Sequence, residues 1–290
     1  MQFTIQENNT QFKNTLKNVY SNSEIQQFLF LIYEKVLNLT KIQVLTNPDM
    51  LIEADNCKII LSIKERLLVN EPIQYILQET EFYDLKFKVS PAVLIPRPET
   101  EELVQWVIDD NDNVKGAKII DFATGSGCIA ISLAKSIANS EVYAVDISEP
   151  ALKIAEFNSK QNSSDVNFFE FDILNGDINI LPKSVDIIVS NPPYVKNSEK
   201  ALMKPNVLNY EPDIALFVED DDPLLFYNKI AKIGCEVLKN GGALYFEINE
   251  ALAKEVTILL KELNYSEIEI RKDINGKDRM VKGVCSLRSY

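Results

Sequence analysis

The residues Asn191-Pro192-Pro193-Tyr194 place an amide, a rigid backbone and an aromatic ring directly after an apolar run, Val185–Ser190, that predicts a strand. Two consecutive prolines cannot continue the hydrogen-bond ladder of a sheet, so they hold their neighbours in a fixed geometry. The Asn191 side-chain oxygen and the Pro192 carbonyl could accept the two hydrogens of a planar nitrogen, and the Tyr194 ring could stack on the planar group. The pattern favours chemistry at a planar amine or amide nitrogen. A proline-rich turn without chemical function is the alternative interpretation.

A second group of small residues, Ala123-Thr124-Gly125-Ser126-Gly127, lies between a predicted strand and a predicted helix. Glycine lets the backbone approach a ligand closely, and the start of a helix offers free N–H groups. The spacing from Gly125 through Gly127 to Ala130 also fits the relaxed pattern of dinucleotide-binding turns, but it does not by itself select a nucleotide. The alternative is a tight turn in which the glycines serve packing only.

Two aspartates follow later predicted strands. Asp146 comes about 20 residues after the glycine turn, where its carboxylate could accept both hydroxyls of a ribose. Asp172 ends the next strand, in position for the exocyclic amine of an adenine. Either residue could instead cap a following helix. Because open α/β sheets bind ligands at the carboxyl ends of their strands, the two aspartates together predict a pocket for an adenosine group.

Composition excludes several classes of protein. The 30 lysines and arginines against 43 aspartates and glutamates give a net charge of −13, which disfavours a protein whose main partner is a nucleic-acid backbone. Histidine is absent, so Ser-His-Asp and Cys-His nucleophiles and His-ligated metals are excluded. The 4 cysteines form no CxxC pair, so we expect reduced thiols and no metal site.

Targeting signals are also missing from the sequence as read. The first residues, MQFTIQENNT, show neither the basic nor the apolar region of a secretory leader, and no apolar run is long enough to span a membrane. We therefore expect a cytoplasmic protein with no membrane partner.

The order of the elements predicts two domains and a linker. Apolar residues from 11 to about 76 recur at helical spacing. From Phe82 the period changes to two, which is typical of a β-hairpin and predicts a connecting ribbon at residues 77–96. From Lys118 onward, strand-like runs alternate with helical ones, which predicts an α/β fold with a largely parallel sheet. At the end, residues 268–271 and 280–287 flank Asn275-Gly276 and predict an antiparallel hairpin at one edge. The other predicted strands are residues 118–122, 142–147, 166–171, 185–190 and 243–248.

Several motifs together resemble the class I S-adenosylmethionine-dependent methyltransferases that modify planar nitrogens. Two further stretches narrow the resemblance to the HemK/PrmC family, the release factor glutamine N5-methyltransferases, and it extends over nearly the whole chain. The motifs of the wider class are Asp121-Phe122-Ala123-Thr124-Gly125-Ser126-Gly127, Ala144-Val145-Asp146, Phe171-Asp172 and Asn191-Pro192-Pro193-Tyr194. Those of the narrower family are Glu71-Pro72-Ile73-Gln74-Tyr75-Ile76 and Val93-Leu94-Ile95-Pro96-Arg97-Pro98-Glu99-Thr100-Glu101.

The resemblance implies a seven-stranded, Rossmann-like methyltransferase sheet with a small all-helical N-terminal domain. It implies S-adenosylmethionine as cofactor and, as substrate, the glutamine in the Gly-Gly-Gln motif of class I peptide chain release factors. The expected domains are a helical substrate-recognition domain at 1–76, a β-hairpin linker at 77–96 and the methyltransferase domain at 97–290. We expect a monomer that forms no stable complex with nucleic acid.

The site residues follow from the motifs and the resemblance together. Asn191, Pro192 and Tyr194 are expected to be catalytic, and with Pro193 they would bind the substrate. The residues expected to bind the cofactor are Ala123, Thr124, Gly125, Ser126, Gly127, Asp146, Asp172, Ile173 and Asn191.

The chain departs from the family pattern at two places. Ala123 stands where the family usually has glycine, and residues 218–223, Val-Glu-Asp-Asp-Asp-Pro, replace a loop that often carries Gly-Gly and Asp-Gly. The first change could tighten the cofactor turn, and no role can be transferred to the second segment.

Four other functions compete with this interpretation. A ribosomal-protein glutamine N5-methyltransferase would share the catalytic loop and differ in its recognition domain. A DNA adenine N6-methyltransferase should carry a basic groove, against which the net charge of −13 counts. A nicotinamide-dependent oxidoreductase fits the glycine turn but leaves Asn191–Tyr194 without a role. A non-catalytic adapter would not need an intact catalytic loop.

Overall fold

A computed structural model describes residues 2–112 and 114–286 and divides the chain into two compact units. The first unit takes the residues up to Gln78 together with Lys204–Tyr210, and the second takes Glu79–Met203 and the chain from Glu211 onward. The predicted linker at 77–96 thus falls almost entirely within the second unit. Residue 1, where the first predicted domain begins, and residues 287–290, where the last one ends, lie outside the described residues. The predicted strand 280–287 therefore has its last residue outside them as well.

The first unit is helical, as expected from its apolar spacing. Helical structure begins earlier than residue 11 because Thr4 and Glu7 form a reciprocal capping box at the first helix. Ser21 and Glu24 cap the second helix in the same way. One face of each long helix supplies the unit's own core, with Phe12 among its fully buried residues. The helices are α1 (Ile5–Leu16), α2 (Asn22–Leu37), α3 (Lys41–Thr46), α4 (Ala54–Leu68) and α5 (Ile73–Leu77).

The second unit starts with a hairpin of β1 (Glu79–Phe82) and β2 (Leu85–Lys88). Its two-residue turn, Tyr83-Asp84, has positive φ at both positions, the geometry that matches the twist of a tight hairpin. Phe82 and Phe87 are buried in the same apolar cluster as Trp106. The hairpin is therefore anchored in the second unit's core, which a freely connecting ribbon would not be.

The large sheet of the second unit has seven strands, as the resemblance implies. Their order is β10-β11-β9-β6-β3-β4-β5, with parallel pairing from β9 to β5 and antiparallel pairing of β11 with both of its neighbours. Each predicted strand is present within a few residues. The short strands β7 and β8 pair with each other in a separate two-stranded sheet. The strands that follow the hairpin are β3 (Lys118–Phe122), β4 (Glu141–Asp146), β5 (Val166–Glu170), β6 (Val185–Ser190), β7 (Val195–Lys196), β8 (Phe217–Val218), β9 (Leu238–Glu247), β10 (Tyr265–Lys272) and β11 (Asp278–Cys285).

Helices cover both faces of this sheet, which explains why its central strands carry apolar residues on both faces. Ile119 and Ile187 face one apolar cluster, whereas Ile120 and Ile188 face the other, as the alternation of side chains along a strand requires. The remaining helices are α6 (Pro98–Asp110), α7 (Cys128–Ser136), α8 (Glu149–Gln161), α9 (Pro205–Leu208), α10 (Leu225–Val237) and α11 (Ala253–Glu262), of which α9 is grouped with the first unit.

The sequence predicts reduced cysteines and no membrane-spanning segment. The cysteines carry free thiols, as expected, and Cys57, Cys128 and Cys285 are buried. Across residues 2–112 and 114–286, no helix has both the length and the apolar composition needed to cross a membrane.

Candidate functional site

A cavity in the second unit lies at the carboxyl ends of β3, β4 and β6. The glycine turn, the ends of the strands and the segment from Ala92 to Thr100 contribute to its wall. Most of the predicted site residues meet there: Ala123, Thr124, Gly125, Ser126, Asp146, Asp172, Ile173, Asn191 and Pro193. The residues of the prediction that lie outside this lining are Gly127, Pro192 and Tyr194.

The two glycines of the turn have different surroundings. Gly125 has a φ of +54°, and a Cβ placed on it would meet open space within 4 Å, so the backbone conformation is what calls for glycine there. Gly127, at φ +80°, would place a Cβ 3.0 Å from Ile131 Cδ1 and 3.1 Å from the Ala155 Cβ. Gly127 therefore lets α7 approach α8, and it supports the cavity by packing.

Ala123 adopts a left-handed conformation, with a φ of +57°. This conformation costs an L residue about 1–2 kcal/mol relative to glycine, which has no Cβ to clash with the following carbonyl. The position where the family usually carries glycine is thus one where the backbone favours glycine.

A buried hydrogen bond between Asp121 and Thr124 ties the glycine turn to the end of β3. The Thr124 hydroxyl donates to Asp121 Oδ2 at 2.6 Å, and both side chains are buried. Desolvation by burial raises the pKa of Asp121 to about 7, against which the hydrogen bond from Thr124 acts.

Asp146 accepts one backbone N–H on each carboxylate oxygen. Gly125 donates to Oδ2 and Ser148 donates to Oδ1, both at 2.9 Å. Helix α8 is capped by the Ser148 side chain, so Asp146 does not act as the cap of that helix. A carboxylate has about four acceptor positions, and the two that remain could take a pair of hydroxyls. Burial raises the pKa of Asp146, and the backbone N–H donors oppose this shift.

Asp172 lies two residues after the end of β5 and organises the turn that follows it. Its Oδ1 accepts the Leu174 N–H at 2.8 Å, and its Oδ2 accepts from the Asn175 amide at 3.0 Å. The bond from Asn175 lowers the pKa of Asp172, so the carboxylate is ionised at neutral pH. Beside it, Ile173 lines the cavity with an apolar surface that could cover a planar base.

Asn191 faces the cavity from the end of β6. Its side-chain nitrogen donates to the Thr100 Oγ1 at 3.2 Å, which turns the Oδ1 oxygen away from Thr100. Pro192 and Pro193, which follow it, are buried, and Pro193 also lines the cavity. The Tyr194 hydroxyl donates to Glu247 Oε1 at 2.9 Å, so this ring is tied at its polar end.

Thr100 and Glu247 are two residues of the site for which the sequence patterns predicted no role. Glu247 ends β9 and is 2% exposed, and its Oε2 accepts the Thr100 hydroxyl at 2.5 Å. Burial raises the pKa of Glu247, whereas the bonds from Thr100 and Tyr194 and the charge of Arg279 lower it. An acidic residue at the end of an apolar strand is the same signal that identified Asp146, and it could have found Glu247.

Arg97 and Glu211 hold the segment that precedes α6. The Glu211 side chain is fully buried and accepts from the Arg97 guanidinium at 2.6 Å and from the Ile95 N–H at 3.1 Å. Two bonds to one buried carboxylate fix the backbone of this wall of the cavity, where Arg97 itself is part of the lining.

The arrangement combines two chemical capabilities in one cavity. A carboxylate with free acceptor positions and an apolar cover could hold a nucleoside, and an asparagine oxygen that faces the cavity could accept a hydrogen from a planar nitrogen. Because no histidine occurs in the chain, any transfer there depends on positioning more than on a side-chain base of that type.

Comparison with known proteins agrees with this chemistry. The family model of the methyltransferase small domain matches residues 100–208, and that of the PrmC N-terminal domain matches residues 10–77. The release factor glutamine methyltransferase of Flavobacterium psychrophilum is 46% identical over 282 residues, which cover 94% of this chain and 96% of that protein. The enzyme of the same name from Bacteroides thetaiotaomicron is 42% identical over 269 residues, 93% of this chain and 96% of that protein.

Among solved structures, a methyltransferase from Pyrococcus furiosus is similar to this chain with a TM-score of 0.53. The match covers 78% of this chain and 99% of that one, at 17% sequence identity. At this identity the likeness concerns the fold alone.

Proposed function

The chain belongs to the release factor glutamine methyltransferase family, and from this premise we propose which of its residues carry a methyl group from S-adenosylmethionine to the side-chain amide nitrogen of a release factor glutamine. The substrate residue would be the glutamine of the Gly-Gly-Gln motif. One observation carries the assignment of residues: Asn191, with its Oδ1 directed away from Thr100, lines the same cavity as Asp146.

The residues around Asp146 fit the nucleoside part of the cofactor. Asp146 would accept the two ribose hydroxyls, Asp172 the adenine amine, and Ile173 would cover the ring. The turn at Gly125 brings backbone close to the ligand because it carries no side chain there. When bound, the cofactor supplies a methyl group on a positively charged sulfur.

Asn191 would orient the glutamine amide. Its Oδ1 and the Pro192 carbonyl would each accept one amide hydrogen and so hold the nitrogen toward the methyl group. The new bond from nitrogen to carbon would be balanced by cleavage of the bond from that carbon to sulfur, and the amide would release one proton to solvent. An amide nitrogen is a weak nucleophile because its electron pair is delocalised, so precise positioning and exclusion of water are what the site contributes. Tyr194, held by Glu247, would pack beside the amide and limit its movement.

The parts of the chain outside the cavity would select the substrate. We assign recognition of the release factor to residues 1–76, because a single glutamine offers too little surface to distinguish one protein from another. We also propose that the protein acts as a monomer in the cytoplasm, where release factors work, and that it forms no stable complex with nucleic acid. The net charge of −13 supports the last point.

The experiment is mass spectrometry of a release factor after incubation with the protein and S-adenosylmethionine. We expect a gain of one methyl group on the Gly-Gly-Gln glutamine, and we expect Asn191→Ala to abolish it with little change in melting temperature. Asn179→Ala is the matched control, since Asn179 is exposed and lies outside the cavity lining. Wild-type turnover by Asn191→Ala would refute the assigned mechanism. Methylation of a ribosomal protein but of no release factor would reassign the substrate.

A further inference from the structure

Three side chains from distant parts of the chain form a hydrogen-bonded series at the wall of the cavity. Glu247 Oε2 accepts from the Thr100 hydroxyl at 2.5 Å, and Thr100 Oγ1 accepts from the Asn191 side-chain nitrogen at 3.2 Å. Thr100 and Glu247 are each 2% exposed, so the bond between them is shielded from water, and the bond from Asn191 to Thr100 is partly buried. Thr100 also lines the cavity, whereas Glu247 does not.

The direction of donation along the series follows from the chemistry of Thr100. Its hydroxyl donates to Glu247 Oε2, and a threonine hydroxyl has only one hydrogen. Once this hydrogen points at Glu247, Thr100 can offer only lone pairs to Asn191. The Asn191 amide must then present its NH₂ group to Thr100 and its oxygen to the other side.

This orientation is the one that the reaction requires. An asparagine amide is nearly symmetrical in shape, and rotation by 180° would exchange an acceptor for a donor with little steric cost. A donor facing the glutamine nitrogen would repel its hydrogens and turn the amide out of line. The catalytic loop therefore needs a device that distinguishes the two ends of the Asn191 side chain.

We propose that Thr100 and Glu247 are positioning residues that set the Asn191 amide with its oxygen toward the reacting nitrogen. This inference rests on the role proposed above for Asn191. Glu247 acts at both ends of the loop, because its second oxygen accepts from the Tyr194 hydroxyl at 2.9 Å. It also assigns a function to Thr100, which belongs to the Pro-Arg-Pro-Glu-Thr-Glu segment typical of the family.

The decisive variants change the hydrogen bonds while they keep the shapes. Thr100→Val removes the hydroxyl, and Thr100→Ser keeps it in a smaller side chain. Glu247→Gln replaces one of the two acceptor oxygens by an NH₂ group, so either Thr100 or Tyr194 loses its acceptor. Thr80→Val is the matched control, because Thr80 lies on the hairpin and outside the cavity lining.

The full-length protein is assayed with a Gly-Gly-Gln peptide and S-adenosylmethionine. We expect Thr100→Val and Glu247→Gln to lower kcat by roughly tenfold or more, because an interaction that aligns the amide acts mainly on the transition state. The KM for the peptide and the calorimetric Kd for the cofactor should change by less than about threefold. Thr100→Ser should retain most of the wild-type kcat, and Thr80→Val all of it.

Three outcomes overturn the inference. They are wild-type kcat in Thr100→Val, a cofactor Kd that weakens in parallel with kcat, and a kcat for Thr100→Ser as low as that of Thr100→Val. The parallel Asn191→Ala assay separates the two proposals: loss of activity there together with an active Thr100→Val refutes the positioning role alone. Wild-type activity in Asn191→Ala refutes the proposed catalytic loop itself.

Discussion

The carboxylate of Asp146 accepts the backbone N–H of Gly125 at 2.9 Å. The acid at the end of β4 thus closes the turn whose glycine lines the cavity, and the two elements that would bind a nucleoside depend on each other. A change at Asp146 should therefore affect both the acceptor of the ribose and the shape of the turn.

Asp146→Ala should weaken binding of S-adenosylmethionine by about tenfold or more, since each lost hydrogen bond to a charged group is worth about 1.5–3 kcal/mol. Calorimetry measures the Kd directly. Glu141→Ala is the control, because Glu141 is exposed at the opposite end of the same strand. Tight binding of NADH by the wild-type protein, with none of S-adenosylmethionine, would contradict the cofactor assignment.

Ala123 provides a test of backbone strain in the turn. Ala123→Gly should change the free energy of unfolding by less than about 1 kcal/mol, because relief of the left-handed strain is offset by the greater freedom of glycine in the unfolded chain. Ala123→Val should lower it by at least about 1 kcal/mol, since a β-branched residue at positive φ is strongly disfavoured. Urea denaturation provides both values.

Ala92→Val is the control for that comparison, because Ala92 also lines the cavity but is not among the residues with positive φ. Equal stability of Ala123→Val and the wild-type protein would show that the turn carries no strain.

Asp121 should make stability depend on pH. Its pKa is raised to about 7 by burial, so between its unfolded value of about 4 and pH 7 the folded state binds a proton that the unfolded state releases. The stability that Asp121 provides is therefore fully present below about pH 4 and is lost as the pH rises toward 7. The melting temperature of Asp121→Asn, relative to wild type, should be higher at pH 8 than at pH 5.

Circular dichroism at several pH values measures this difference. Asp109→Asn is the matched control, because Asp109 is exposed. A melting-temperature difference between Asp121→Asn and wild type that stays constant from pH 5 to pH 8 would contradict the prediction.

The roles of the two units can be separated by truncation. A chain that begins at Glu79 should still bind S-adenosylmethionine, because the residues that line the cavity all belong to the second unit. It should lose most of its kcat/KM on an intact release factor and change little on a Gly-Gly-Gln peptide. The start is placed at Glu79 because β1 pairs with β2 along its whole length, so the hairpin stays complete.

A second version of the truncated chain replaces Lys204–Tyr210, which is grouped with the first unit, by a glycine-serine linker. If either version methylates an intact release factor at the wild-type rate, residues 1–76 do not serve recognition.

Much of the second unit could be predicted because its information is local. Segments rich in isoleucine, valine and phenylalanine predicted β3 and β6 with their observed bounds, and parallel strands buried on both faces carry such segments. Contacts between distant elements could not be predicted from the sequence in this way. The packing role of Gly127, which lets α7 approach α8, depends on Ala155 and so became visible only in the structure; its predicted contact with the cofactor stays a prediction. The roles of the site residues remain predictions until the variants above are measured.

The sequence by itself determined the helical N-terminal region, the glycine turn, the aspartate at the end of β4 and the rigid loop that begins at Asn191, because each is encoded by neighbouring residues. Only the tertiary structure decided which side chains stand behind that loop. Thr100 lies 91 residues before Asn191 and 147 before Glu247, so no local period relates them. They meet because β6 and β9 pair with Ser190 opposite Phe246, which brings the residues after each of these, Asn191 and Glu247, to the same edge of the sheet. The order of strands in a sheet arises from packing of the whole chain, and a hydrogen bond between distant residues is fixed only when that order is complete.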